Sequence, residues 1–424
     1  MPKRQVSHTH VKYAPNCIAL ITLLLFFPFL ILQNSSLSFG QETTEGQSGP
    51  PADTTSTPTS PSPSTSQESP VTETAASDSI SSVYNLVEPS IVQISPQFAG
   101  ADIFSTPLPS ENTAQGYGSG FVFDDQGRIV TNSHVVGAIN STAQVTFSNG
   151  RSFVATVIGD DVFSDIAVLQ INQTDISQEG FNFVPLTIAN SSAIQVGQPV
   201  VAIGYPLGTS LGSLKSTLTA GVVSQTQRLI LSPTYGFQAA LQTDANIDPG
   251  NSGGPLLDLN GEVVGINSAI ISPQTGSEIS FAVPSDMIAR VVPSLIQDGA
   301  YLHPWIGIGP VTLTPEMAAA AGMPPNIRGV LISQLVKDNP ADQSGKLTGT
   351  ETDQYGNVRP GDVIVGVNGN NVTTIEDLFY NLEKEAIPFE SFTLNVDDHG
   401  TIVDIPIDAS YKATSDVFYC LTCM

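Results

Sequence analysis

Residues 250–255 read GNSGGP, which places Ser252 inside a G-x-S-x-G pattern. Two unrelated arrangements of hydrolase residues contain this pattern. In one, the serine lies on a turn between a strand and a helix, and its acid and histidine follow it in the sequence. In the other, the serine lies between β-strands, and histidine and aspartate precede it. The neighbouring residues decide between the two.

Histidine is scarce, which narrows the search for a base that could activate Ser252. Of the five histidines, two fall within the first ten residues and two lie beyond residue 300. A serine hydroxyl is a weak nucleophile and needs a neighbouring base. His134 is therefore the candidate inside the region that contains Ser252.

The residues after Ser252 favour the second arrangement. The stretch PLLDLNGEVVGIN, residues 255–267, predicts a β-hairpin rather than a helix. An aspartate is then expected between His134 and Ser252. Asp165 fits best because it opens the apolar stretch SDIAVLQI, where a buried carboxylate needs a partner. Composition alone leaves three alternatives: Asp160, Asp161 and Asp244.

The N-terminal residues predict export. Residues 1–40 combine basic residues with the apolar run CIALITLLLFFPFLIL at 17–32 and small residues at 38–40. A cleaved signal peptide and a retained membrane anchor through residues 17–32 both fit this pattern. We expect an extracytoplasmic protein that is secreted, periplasmic or held at the cell surface. Residues 41–79 are rich in Ser, Thr and Pro and predict a disordered linker.

The remaining sequence predicts a β-rich domain followed by a smaller α+β domain. Short β-branched runs and Gly-containing turns over residues 80–283 indicate a sandwich or a pair of barrels. A helix is expected over 285–298, capped by Ser285 and closed by Gly299. Two further helices should begin after Thr314 and Thr374. The C-x-x-C of the 411–424 tail has no second pair, so a frayed tail or a simple disulfide is expected.

Composition excludes some functions. The 424 residues include 39 acidic and 14 basic ones, a formal net charge of −25. This disfavours nucleic acid as a partner. No motif calls for a cofactor or a metal. Only three cysteines occur, and none lies between residues 18 and 419.

Three stretches together resemble the HtrA/Deg family of serine proteases. TNSHVV resembles the family's histidine motif, SDIAVL its aspartate motif and DPGNSGGPL its serine motif. The likeness covers most of residues 80–410. It implies an all-β, chymotrypsin-like double β-barrel protease domain over 80–300 and a small α+β PDZ domain over 303–410.

The resemblance also implies roles for individual residues. Ser252 is the nucleophile, His134 the general base and Asp165 the residue that orients the base. Backbone N–H groups of Gly250 and Ser252 form the oxyanion hole. The specificity pocket is implied to involve Asn246, Asn267 and Ala269, with a preference for a small or medium aliphatic P1 residue.

For the PDZ domain, the resemblance implies binding of C-terminal peptides. PWIGIG, residues 304–309, resembles the carboxylate-binding loop, so the amides of Ile306, Gly307 and Ile308 are the expected contacts. GVLISQLV, residues 329–336, is the strand expected to be extended by the peptide, and residues 374–384 the flanking helix. Residues 348–358 look inserted relative to the family.

The expected function is ATP-independent serine endopeptidase activity on unfolded or misfolded proteins, in protein quality control and the stress response. The family resemblance adds assembly into a homotrimer or higher oligomer. The alternative is a chaperone or peptide-binding scaffold with minor or switched-off proteolysis.

Overall fold

The structure is a computed structural model that describes nine ranges of the chain. These are residues 73–97, 117–206, 215–231, 236–269, 279–324, 326–355, 358–387, 390–398 and 400–412. The apolar run at 17–32 and the cysteines lie outside them. Within these ranges, no helix has the length and apolar character needed to cross a membrane.

The first barrel follows helix α1 (Glu73–Val87) and is a closed, antiparallel sheet of six strands. Its order is β1-β2-β3-β6-β5-β4. The strands are β1 (Ile91–Gln97), β2 (Gly118–Val122), β3 (Arg128–Thr131), β4 (Thr142–Phe147), β5 (Ser152–Asp161) and β6 (Ile166–Ile171). Alternate residues of β5 are buried, as expected for a strand with one face toward a core.

The second barrel follows helix α2 (Gln173–Glu179) and closes in the order β10-β11-β12-β9-β8-β7. Its strands are β7 (Pro199–Gly204), β8 (Thr217–Leu231), β9 (Gly236–Thr243), β10 (Pro255–Leu257), β11 (Val263–Ser268) and β12 (Ser280–Pro284). The prediction of a chymotrypsin-like double β-barrel is therefore confirmed. The β10–β11 hairpin forms where the sequence predicted it.

Helix α3 (Ser285–Asp298) has the predicted bounds, and Gly299 ends it in the left-handed region at φ +78°. Val291, Val292 and Leu295 are fully buried in a core cluster shared with both barrels. The predicted N-cap is wrong: Pro284 holds that position, and the Ser285 hydroxyl donates to Ala189 O instead.

Helix α1 corrects two expectations. The sequence predicted a linker up to residue 79 and an all-β region from residue 80, but helix runs from Glu73 to Val87. Val83 and Val87, one helical turn apart, are buried in the same core cluster as strand residues of both barrels. Because this stretch is rich in serine, its sequence did not indicate the narrow apolar face that the helix buries.

The residues after α3 form a small α+β domain. Its main sheet runs β14-β15-β18-β20-β21, with β19 paired to β18, while β13 pairs with β22 and β16 with β17. The helices are α4 (Pro315–Ala320), α5 (Pro340–Gln343) and α6 (Ile375–Glu385). The strands are β13 (His303–Trp305), β14 (Ile308–Thr312), β15 (Val330–Leu335), β16 (Glu351–Thr352), β17 (Val358–Arg359), β18 (Val363–Val367), β19 (Asn370–Asn371), β20 (Phe392–Asp398), β21 (Thr401–Ile407) and β22 (Ser410–Lys412).

The two helix starts predicted in this domain are confirmed. Thr314 caps α4, and Thr374 caps α6 in a capping box with Asp377. The stretch that looked inserted contains the short β16–β17 hairpin. Helix α6 packs against β8 and β9 of the second barrel, so the small domain contacts the barrel region directly.

The prediction of the strand that a peptide would extend is wrong. That strand, β15 within residues 329–336, is interior, because β14 pairs along one side of it and β18 along the other. An added strand needs an unpaired edge. Within the described residues, β14 and β21 are the two edge strands of this sheet, and β14 is the one that leads away from residues 304–307.

Candidate active site

His134 and Asp165 meet at the end of the first barrel. His134 lies in a short 3-10 helix (Ser133–Val135) after β3, and Asp165 lies immediately before β6, the neighbour of β3 in the sheet. His134 Nδ1 is 2.9 Å from each carboxylate oxygen of Asp165. The His134 backbone N–H also donates to Asp165 Oδ1 at 3.0 Å.

Asp165 is held by several groups in a completely buried position. Its main-chain oxygen accepts hydrogen bonds from Asn132 Nδ2 (2.9 Å) and from Ser133 N (3.2 Å). Ser268 Oγ of the second barrel lies 3.4 Å from Asp165 Oδ2. A buried carboxylate with these partners can fix the orientation and tautomer of an imidazole.

Ser252 comes from the second barrel, on the loop between β9 and β10. Its side chain is nearly buried, and Ser252 Oγ accepts a hydrogen bond from Ala269 N at 2.9 Å. The Ser252 carbonyl oxygen accepts from Ser119 N of β2 at 2.8 Å. The serine loop is thus fastened to the first barrel by the main chain.

Glycines allow the serine loop to lie this close to its neighbours. Gly253 has φ +85°, and a Cβ there would lie 2.2 Å from both Ser119 O and Thr131 Oγ1. Gly250 has φ +101°. Both positions are therefore restricted to glycine by backbone conformation, and Gly253 also by space.

The two N–H groups proposed for an oxyanion hole lie on the loop that carries the serine. Gly250 and Ser252 are two residues apart on the same buried loop. Among the described residues, neither of their N–H groups donates a hydrogen bond. Two unengaged donors beside a nucleophilic oxygen are what a developing oxyanion needs.

The three residues predicted for a specificity pocket differ in their exposure and in their contacts. Asn246 is exposed, and its Nδ2 donates to Asp248 Oδ2 at 2.8 Å. Asn267 is completely buried, and its Nδ2 donates to Pro255 O at 2.9 Å. A fully buried amide offers no surface to a substrate, so Asn267 supports the serine loop from behind. Ala269 lies beside Ser252 Oγ.

Asp160, one of the alternative aspartates, lies close to this site but does not hold the imidazole. Burial chiefly raises the pKa of Asp160 to about 6, with Asp161 and Asp165 adding to the shift and a hydrogen bond from Ser133 opposing it. Asp161, another alternative, contacts His303 instead of His134.

Comparison with known proteins agrees with this geometry. A family model described as "Trypsin-like peptidase domain" matches residues 118–266. "Protease Do-like 1, chloroplastic" of Arabidopsis thaliana is 38% identical over 299 residues, which cover 70% of this chain and 64% of that protein. A "Probable periplasmic serine endoprotease DegP-like" of Chlamydia pneumoniae is 35% identical over 300 residues, covering 70% of this chain and 56% of that protein.

A solved structure, "HtrA-type protease AlgW with decapeptide", matches with a TM-score of 0.58 and 27% identity, covering 78% of this chain and 98% of that one. The chain belongs to the HtrA/Deg family of serine proteases. It spans less than two thirds of the length of the two relatives named above.

An apolar groove lies in the small domain of this HtrA/Deg chain. It runs between β14 and helix α6, and its empty volume is about 310 Å³. Residues 304–308 close one end, and the helix contributes Leu378, Phe379 and Leu382. Among the described residues, the N–H groups of Ile306 and Gly307 donate no hydrogen bond.

Residues that support the HtrA/Deg site were missed by reasoning from the sequence. Ser119 Oγ donates to Gly250 O at 2.7 Å and accepts from Tyr205 N at 2.8 Å. Thr131 Oγ1 donates to Ser119 O at 2.7 Å. The motifs around His134, Asp165 and Ser252 do not indicate Ser119 or the groups that it contacts, because these contacts join residues far apart in the chain.

Proposed function

We propose that this chain is an ATP-independent serine endopeptidase in which Ser252, His134 and Asp165 form the catalytic triad. The observation that carries the proposal is the pair of 2.9 Å separations between His134 Nδ1 and the Asp165 carboxylate. Nδ1 donates to the carboxylate in this arrangement, which leaves Nε2 as the basic nitrogen. Membership of the HtrA/Deg family supports the same assignment.

The reaction would proceed by acyl transfer. Ser252 Oγ attacks the scissile carbonyl carbon while His134 Nε2 takes the hydroxyl proton, giving a tetrahedral oxyanion. The N–H groups of Gly250 and Ser252 stabilise that oxygen, and loss of one such donor typically costs about 3 kcal/mol of barrier. His134 then protonates the leaving amine, and water hydrolyses the acyl-enzyme by the same steps in reverse.

Substrate preference follows from the residues around Ser252. The family resemblance aligns no acidic residue that would attract a Lys or Arg side chain, and the nearby Asp248 already accepts a hydrogen bond from Asn246, so we propose a small or medium aliphatic P1 residue. Asn246 and Ala269 remain the proposed pocket residues. Unfolded or misfolded proteins are the proposed substrates, since an extended chain is the conformation that a protease cleft accepts.

We propose that the small domain is a PDZ domain that binds C-terminal peptides. The groove between β14 and α6 offers an unpaired strand edge beside apolar helix residues, as strand addition requires. The N–H groups of Ile306, Gly307 and Ile308 would receive the terminal carboxylate. The related AlgW protease has been solved with a decapeptide and with a tripeptide, which supports peptide recognition.

Location and assembly are proposed on the strength of relatives and sequence. Relatives named periplasmic or chloroplastic support an extracytoplasmic protein, in agreement with the basic and apolar residues near the N-terminus. A homotrimer or higher oligomer is proposed from the family resemblance. Sedimentation velocity of the purified chain measures the oligomer, and N-terminal sequencing of the exported protein shows whether residues 1–40 are removed.

The decisive experiment is labelling with a fluorophosphonate probe, combined with casein hydrolysis. Wild type should label at a single serine and degrade casein, whereas Ser252→Ala and Asp165→Asn should each lower kcat by about 10⁴-fold or more. Persistent casein degradation by Ser252→Ala would show that another mechanism operates. Peptide binding without any labelling of wild type would favour the chaperone or scaffold alternative.

A further inference from the structure

A buried cluster of charged side chains lies between the first barrel and the small domain. The imidazole of His303, at the start of β13, lies between two carboxylates. His303 Nε2 is 3.0 Å from Asp161 Oδ2 and His303 Nδ1 is 2.7 Å from Glu383 Oε1. The His303 side chain is 1% exposed and the Asp161 side chain 0%. Tyr301 OH donates to Glu383 Oε2 at 3.2 Å.

The two carboxylates that flank His303 favour its cationic form. Burial by itself lowers the pKa of His303, but the carboxylates of Asp161 and Glu383 outweigh that effect and raise it to about 10. The imidazolium has an N–H on each ring nitrogen, so it can donate to both carboxylates at once. The charged or titratable groups that face it are Asp161 at the end of β5, Glu383 on α6 and Tyr301 before β13.

Asp161 also organises the turn that leads to Asp165. Asp161 Oδ1 accepts from Phe163 N at 3.3 Å, and Asp161 Oδ2 accepts from Ser164 N at 3.3 Å and from the Ser164 hydroxyl. The turn closes with a hydrogen bond from Asp165 N to Val162 O at 3.3 Å. The carboxylate of Asp161 thus accepts from the two residues that directly precede Asp165.

Asp165 needs such support because its backbone is strained. Its φ is +55°, in the left-handed region that residues other than glycine seldom adopt. Strained residues persist at functional sites only when the surrounding contacts determine them. Asp165 must also direct its side chain to His134 and its main-chain oxygen to Asn132 and Ser133 at the same time.

We infer that Asp161 is a positioning residue for the catalytic carboxylate of Asp165, and that the His303 imidazolium, anchored by Glu383, fixes Asp161 in that role. The inference rests on the proposed triad. It makes the placement of Asp165 depend on a side chain of the small domain, since His303 and Glu383 both lie beyond α3. If the buried ion cluster only joined the domains, substitutions in it would change the unfolding free energy and leave kcat and its pH profile unchanged.

The test compares Asp161→Asn, His303→Gln and His303→Arg in the full chain. Hydrolysis of a fluorogenic peptide with an aliphatic P1 residue is measured from pH 5 to 10, normalised to active sites titrated with a fluorophosphonate. Because a misplacement of about 1 Å can cost about 100-fold, Asp161→Asn and His303→Gln should lower kcat at least tenfold, with KM within about twofold. The kcat of His303→Arg should lie within about threefold of wild type, because arginine keeps a permanent positive charge and N–H donors on both sides.

The pH profile separates positioning from simple electrostatics. The acid limb of kcat/KM reports the base of the free enzyme. Removing the positive charge of His303 without moving Asp165 would shift that limb to higher pH. Loss of positioning weakens the support of the protonated base, so the limb of His303→Gln should move to lower pH. A shift to higher pH, with kcat unchanged, would overturn the inference.

Controls keep the outcomes distinct. Tyr301→Phe removes a hydroxyl from the same cluster without touching Asp161, so its kcat and pH profile should match wild type. If His303→Gln does not fold, Asp161→Asn and His303→Arg decide: a folded Asp161→Asn enzyme with wild-type kcat and pH profile overturns the inference. If Ser252→Ala or Asp165→Asn retains full hydrolysis, the proposed triad itself fails, whatever the cluster variants do.

Discussion

Ser119 Oγ donates a hydrogen bond to the carbonyl oxygen of Gly250 across 2.7 Å, and so joins the first barrel to the loop that carries Ser252. The same oxygen accepts from Tyr205 N at 2.8 Å. Ser119 is completely buried, so water cannot replace these partners. One hydroxyl therefore links the carbonyl of Gly250, the residue whose N–H is a proposed oxyanion donor, to strand β2 of the first barrel and to the main chain at Tyr205.

Ser119→Ala should lower kcat about 10- to 100-fold, because Gly250 loses the contact at its carbonyl that helps to fix the backbone on which its N–H is oriented. Two buried polar groups also lose a partner, which should cost about 1–3 kcal/mol of unfolding free energy each. Ser285→Ala is the matched control, since it removes an equally buried hydroxyl that donates to Ala189 O. Casein hydrolysis and urea unfolding measure both effects. Equal kcat values for the two variants would contradict the role of Ser119.

Gly253→Ala should abolish activity and destabilise the protein by more than a conformational penalty alone. Its φ of +85° already costs a residue with a Cβ about 1–2 kcal/mol, and the added Cβ would lie 2.2 Å from Ser119 O. Gly197→Ala supplies the control, because Gly197 has φ +88° and nothing within 4 Å of its added Cβ. Thermal unfolding and fluorophosphonate labelling of both variants check this. Similar behaviour of the two would mean that the close approach at Gly253 is unimportant.

Asp160→Asn should alter the dependence of stability on pH. The folded-state pKa of Asp160 is raised from 3.8 to about 6, chiefly by burial, so the native state binds a proton between these values that the unfolded state has lost. Its ionisation therefore lowers the unfolding free energy as pH rises through this interval. At pH 7 the Asn variant should be more stable than wild type by at most about 3 kcal/mol.

The difference should be nearly gone at pH 3.5, where the carboxyl is mostly protonated in both states. Chemical denaturation at pH 3.5, 5 and 7 measures this dependence, with the exposed Asp125→Asn as the control for net charge. Curves for Asp160→Asn and wild type that stay parallel across the range would contradict the raised pKa.

Phe379→Asp should weaken peptide binding in the groove of the small domain. Phe379 is half-buried and lines that groove, so a carboxylate there removes apolar contact and repels a peptide's terminal carboxylate. A loss of about 1.4 kcal/mol or more corresponds to at least about tenfold in Kd. Fluorescence anisotropy with a labelled decapeptide ending in valine measures the affinity, and the same peptide with an amidated C-terminus tests the role of the carboxylate.

Ile387→Asp is the control, because Ile387 is 55% exposed and lies outside the groove lining. It introduces the same charge close to the end of α6. Unchanged binding by Phe379→Asp, or equal losses in the two variants, would count against the groove as the peptide site.

Parts of the fold could be predicted because their signals are local. Hairpin turns, the end of α3 at Gly299 and the caps at Thr314 and Thr374 each depend on a few adjacent residues. Ser252 and His134 could be selected because histidine is scarce, and Asp165 because a carboxylate entering an apolar strand needs a partner. These choices needed residue chemistry and order along the chain.

The parts that could not be predicted depend on contacts between distant residues. His303 and Asp161 are 142 positions apart, and no periodicity or motif links them. The edge position of β14 depends on how strands pair, which alternation within a single strand cannot show. Likewise, α1 is specified by two valines that fill a site between strands of both barrels, so its Ser-rich sequence resembled the linker that precedes it.

The described core of this protein is held together without a covalent cross-link, because all three cysteines lie outside the stretch between residues 18 and 419. His134 and Asp165 belong to one barrel and Ser252 to the other. The alignment of the proposed triad therefore depends on the contacts between two separately closed barrels. On gentle heating, hydrolysis should be lost at a temperature at which far-ultraviolet circular dichroism still shows intact β-strands. Cooling should restore the hydrolysis.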